Sequence, residues 1–132
     1  MAVLSTASVS GVCFWGQWVD STPYKAEYPF SGTIPQGPEM WRHLFKANKQ
    51  WNLNTIKQDH IGEQMGGSPD SWKNVSVLKS WMSGMGTGAS ENDAHVLYCC
   101  APPNIHMNGV TVPAAFAVRA SPDCKATCRL LF

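Results

Sequence analysis

The chain predicts an α+β domain in which N-terminal helices pack on a C-terminal antiparallel sheet, and two features of the sequence carry that expectation. Apolar residues recur at three- and four-residue intervals as far as Met85, then alternate or run in short blocks after Asn92-Asp93. Helical patterns followed by strand patterns belong to that class. A length of 132 residues suits one domain spanning 1–132, long enough to bury a core without disulfide or metal staples.

The first helix is expected where Val12, Trp15, Trp18 and Val19 share a helical spacing, with Ser10 as its cap and Cys13 at its third position. Pro23 stops it, and the prolines and glycines of residues 20–38 predict a long loop or edge segment. Pro38 suits the first position of a second helix, whose apolar stripe is Met40, Trp41, Leu44, Phe45 and Trp51. Ser68-Pro69-Asp70-Ser71 reads as the start of a third, which buries Trp72, Val75, Leu78, Trp81, Met82 and Met85 and ends at Gly84, Gly86 and Gly88. Strands follow at His95-Val96-Leu97-Tyr98-Cys99-Cys100, at Val110 to Val118, and at Cys124 to Phe132; Pro113 places the second at an edge or bulge.

Composition narrows the function classes. A net charge of +1, with 14% charged and 44% hydrophobic residues, gives no electrostatic footprint for nucleic acid or an anionic membrane. The longest apolar run falls far short of a bilayer span, and no basic segment followed by an apolar core opens the chain. Five cysteines cannot all pair internally, which predicts a reducing, cytoplasmic setting, or delivery to another cell without a cleaved signal peptide.

Chemistry centres on Cys13 and His95. A thiol at a helix start gains thiolate character from the free N–H groups there, and a histidine opening a strand can face a cleft as general base. Cysteine on a first helix, further helices, then a histidine on a strand is an order that resembles the papain-like cysteine protease clan. Gly11-Val12-Cys13-Phe14 and Ala94-His95-Val96 are similar to the nucleophile and histidine motifs of its YopT-type effector proteases. The resemblance implies Cys13 as nucleophile, His95 as base and an acid or amide that orients the imidazole. A strand returning beside His95 would bring that group from Ser121-Pro122-Asp123, so Asp123 is the candidate.

The expected function is a small cysteine hydrolase acting on an amide or related acyl bond of a protein or peptide, with no cofactor. The alternative is a non-enzymatic viral or phage assembly subunit, or a protein-binding module, in which Cys13 is simply packed. A zinc site from His95, Cys99, Cys100, His106, Cys124 and Cys128 is disfavoured: strand geometry sets Cys124 and Cys128 about 13 Å apart. Gly84-Met85-Gly86-Thr87-Gly88 follows a helix and lacks a phosphate-loop lysine, and Asn74-Val75-Ser76 reads as a chance glycosylation sequon.

Overall fold

The computed structural model describes residues 10–14, 23–99 and 101–119, with residues 10–14 as backbone. In chain order its elements are β1 (Ser10–Phe14), α1 (Tyr24–Glu27), β2 (Phe30–Ser31), β3 (Ile34–Pro35), α2 (Glu39–Asn48), β4 (Leu53–Gln58), α3 (Ile61–Gly66), α4 (Val75–Ser90), β5 (His95–Tyr98), α5 (Pro103–Gly109) and β6 (Ala115–Val118). Strands β1, β4, β5 and β6 form one sheet in that order, and every pairing in it is parallel. Only the two-residue pair β2–β3 is antiparallel among the described residues.

The expected antiparallel sheet is therefore corrected. Parallel neighbours need a crossover long enough to return the chain to its starting edge, usually through a helix. α3 and α4 supply it between β4 and β5, and α5 supplies it between β5 and β6. Pro102-Pro103, expected to end a strand before a hairpin, instead leads into α5, because proline at a first helical position gives up no hydrogen bond.

The opening segment is a second correction. Ser10–Phe14 is a strand rather than a capped helix, paired with β4 from Ser10↔Leu53 to Phe14↔Gln58. Cys13 is therefore a strand residue and not the third residue of a capped helix. The rest of that expected helix, including Trp15 and Trp18, lies outside the described residues, as does the expected strand from Cys124 to Phe132.

Strands in sequential order joined by right-handed crossovers carry their helices on one face. α2 and α4 pack against each other, and α4 also meets β5. Between helices and sheet lies the core: Trp41, Phe45 and Met40 from α2, Trp81, Met82 and Met85 from α4, and Ile56, Val96 and Tyr98 from the strands. The α2 stripe is as expected except for Trp51, which is 72% exposed. The helix ends at Asn48, and a 3-10 turn with Asn52 in the left-handed region carries Trp51 out of its periodicity.

The start of α4 also differs. Ser68-Pro69-Asp70-Ser71 leads only into a 3-10 turn, Pro69–Trp72, which leaves Trp72 and Val75 exposed. Asn74 is the true cap, its Oδ1 accepting from the Ser76 N–H at 3.0 Å. Nor do the three glycines end the helix; α4 runs through them to Ser90.

Across the surface, Arg42 of α2 clamps Glu91 just beyond α4 through two hydrogen bonds, Nε to Oε2 at 2.6 Å and Nη2 to Oε1 at 2.8 Å. That bonding holds the Glu91 carboxyl below its ordinary value of 4.5. A depressed carboxyl stabilises the fold above its unfolded pKa and loses that contribution as pH falls through the folded one. Glu91→Gln is accordingly expected to lower Tm slightly at pH 7, with the difference closing as the pH drops below 4.5. Parallel melts from pH 7 to pH 3 check this; a constant difference contradicts it.

Candidate functional site at the carboxyl edge of the sheet

In open parallel sheets, ligands bind beyond the carboxyl ends of the strands, where the loops leave the rigid scaffold. Here β4 ends at Gln58, β5 at Tyr98 and β6 at Val118, three residues level with one another in the register. The ladder runs one step further, since the Cys99 N–H donates to Gln58 O at 2.9 Å and the Arg119 N–H to Tyr98 O at 2.8 Å. Asp59, Cys99 and Arg119 thus form the next row, bringing a carboxylate, a thiol and a guanidinium onto one edge.

Asp59 is the distinctive member. It is 7% exposed, in a position where an acidic side chain is rarely found without a partner. Lys57, two residues back and so on the same strand face, places Nζ 2.9 Å from Asp59 Oδ2. The His60 N–H donates to Oδ1 at 2.9 Å. The turn that follows has an unusual backbone: His60 has φ +51°, a left-handed conformation that costs a non-glycine residue on the order of 1 kcal/mol or more. The His60 ring also approaches Glu63, Nδ1 to Oε1 at 3.3 Å. Both carboxylate oxygens are thereby held in place.

Behind this row lies a buried polar layer. Gln58 and Gln64 are both buried, and Gln58 Nε2 donates to Gln64 Oε1 at 2.5 Å and to Asp59 O at 3.2 Å. Tyr98, level with Gln58, is fully buried, and desolvation pushes its phenol pKa upward, so it stays neutral.

Removing the Lys57 ammonium leaves a buried charge with less compensation. Lys57→Met is expected to cost about 1–3 kcal/mol, less than for a fully buried pair because the lysine side chain is 39% exposed. A double-mutant cycle with Asp59→Asn, read by urea denaturation at pH 7, measures the pairing; strictly additive losses would contradict it.

The backbone register keeps Cys13 and His95 on separate strands. Cys13 is in register with Lys57, and Lys57 with Leu97, whereas His95 is in register with Thr55. Cys13 and His95 therefore have β4 between them, about 10 Å of sheet, and are offset by two residues along the strands. His95 is exposed, and its ring meets Phe116 edge-on with centroids 5.8 Å apart. Asp123 lies outside the described residues.

Of the metal candidates, His95 starts β5, Cys99 follows its end and His106 is on α5, while Cys100, Cys124 and Cys128 lie outside the described residues. Among the described residues no three histidine, cysteine or acidic side chains gather as a metal site. No described helix is long and apolar enough to cross a membrane.

The sequence reading missed Asp59. The available signal was Lys57-Gln58-Asp59, a cation and an anion two apart at the end of a strand, but it required β4 to be recognised first. Comparisons with protein-family models, characterised proteins and solved structures found no match to this chain.

Proposed function

We propose that this chain is a hydrolase that works through a carboxylate at the carboxyl edge of its parallel sheet, with Asp59 in place of Cys13 as the reacting group. The observation that supports it is the buried, doubly held Asp59 carboxylate at the end of β4. Parallel α/β scaffolds present catalytic side chains from such strand ends. Lys57 compensates the charge that Asp59 buries, and the His60 N–H aims it.

Carboxylate-driven hydrolysis takes two acids: one acts as nucleophile or base, and the other protonates the leaving group. Asp59 takes the first role. Asp123, four residues after Arg119 in the sequence, takes the second as a general acid instead of an imidazole orienter. Glycosidic bonds are the substrate class this pair serves. The test is a panel of 4-nitrophenyl glycosides beside 4-nitrophenyl acetate, read with the unaltered protein, Cys13→Ala and Asp123→Asn. Glycoside turnover should survive in Cys13→Ala and fall in Asp123→Asn. Acetate turnover alone, lost in Cys13→Ala, would return the function to the thiol.

One observation favours a second reading, a protein-binding or assembly module. Parallel sheets are usually covered on both faces, yet Phe116 is 59% exposed beside exposed His95. A solution mass above that of the monomer that reverts in Phe116→Lys would support that reading.

A further inference from the structure

We propose that the buried amide pair Gln58 and Gln64 positions the Asp59 carboxylate, acting through the single peptide unit that joins Asp59 to His60. The inference rests on the Asp59 reading above. That peptide has two ends. Its carbonyl oxygen, Asp59 O, accepts from Gln58 Nε2 at 3.2 Å, and its N–H, on His60, donates to Asp59 Oδ1 at 2.9 Å. A peptide is planar and rigid, so fixing the carbonyl end fixes the direction of the N–H that holds the carboxylate.

Gln58 must itself be fixed to do this, and Gln64 fixes it. Gln64 Oε1 accepts from the same Nε2 at 2.5 Å, which leaves the Gln58 amide little freedom to turn. Gln64 is held in turn at both ends of its backbone: its N–H donates to His60 O at 3.1 Å, and its carbonyl accepts from Thr33 Oγ1 at 2.7 Å. The left-handed His60 closes the loop between the two glutamines. Two buried side-chain amides are more than a six-residue helix needs in order to follow a strand, and their bonds converge on the carbonyl of the 59–60 peptide. Gln58 and Gln64 are positioning residues, since neither reaches the reacting atoms.

The test replaces both amides at once, Gln58→Leu with Gln64→Leu. Removing both partners for apolar groups of similar shape avoids stranding one of them, and folding is largely kept. Two readouts are taken: glycoside kinetics, and the pH titration of the His60 amide proton by NMR, which follows its hydrogen bond to Asp59. The expected result is a kcat about 100-fold lower, as for a misplaced catalytic group, with KM changed by no more than about twofold. The His60 amide should also lose its carboxylate titration. Unchanged kcat and an unchanged His60 titration overturn the proposal.

If Asp59→Asn leaves turnover intact, the Asp59 reading fails, and the His60 titration still decides the positioning claim. Should the double variant not fold, hydrogen exchange in the unaltered protein decides. The Gln58 side-chain amide protons should exchange far more slowly than those of exposed Gln50, and equal rates overturn the proposal.

Discussion

Asp59→Asn is expected to lower kcat/KM for a hydrolysed glycoside by about 1,000-fold or more, with little change in stability. Asparagine keeps the shape of the side chain and an oxygen able to accept the His60 N–H, so the turn from β4 into α3 has no reason to open. What it loses is the negative charge, and with it the capacity to attack or to take a proton. Lys57 then loses its anion, but its side chain is 39% exposed and water can solvate it. Steady-state kinetics beside a urea melt separate the two effects. A variant that keeps turnover within about tenfold would place the chemistry elsewhere.

Gly88→Leu carries the largest expected loss of stability, about 3 kcal/mol, as an overpacked helix contact. A Cβ at Gly88 would lie 2.6 Å from Trp41 Cβ and 2.9 Å from the Trp41 carbonyl carbon, so α2 and α4 could not keep their separation. One turn earlier, a Cβ at Gly84 would collide with the backbone carbonyl of Gly37, immediately before α2. Gly84 and Gly88 thus let the helix bearing Trp81 press onto the helix bearing Trp41. The control is Gly88→Ala. On an open helix surface that change stabilises by about 1 kcal/mol, whereas here the clash should cancel the gain or outweigh it. Stabilisation by Gly88→Ala in urea would contradict the close contact.

These glycines show where the sequence was legible and where it was not. The stripe of Met40, Trp41, Leu44 and Phe45 announced α2 because one face of that helix is apolar and the other meets water. Leu78, Trp81, Met82 and Met85 announced α4 in the same way. Gly84, Gly86 and Gly88 suggested its end because glycine is unfavourable in isolated helices, and only the neighbouring helix reveals why they are tolerated. His95-Val96-Leu97-Tyr98 read correctly as a strand from its continuous apolar character.

Strand β4 was missed because Leu-Asn-Thr-Ile-Lys-Gln neither alternates nor runs apolar. Its buried Gln58 is polar, and its open face carries Lys57. Those residues break the strand pattern because both bind at the turn, Lys57 to the Asp59 carboxylate and Gln58 to the Asp59 carbonyl. With β4 and α5 unrecognised, the later strands appeared to be joined by hairpins, and the sheet was read as antiparallel. A direction of pairing leaves no local mark on a strand of four residues; it is set by what connects the strands. The expected site set Cys13 on a first helix facing the His95 strand, whereas Cys13 is on β1 with β4 between it and β5.

The most direct measurement of the central claim is covalent trapping with a cyclitol epoxide, followed by peptide mapping of the modified chain by mass spectrometry. An epoxide opens on an activated carboxylate to give an ester, or on a thiolate to give a thioether, so one reagent interrogates both candidate nucleophiles. Modification of the peptide carrying Asp59, abolished in Asp59→Asn and retained in Cys13→Ala, is the predicted result. Modification at Cys13 with Asp59 untouched would contradict the account.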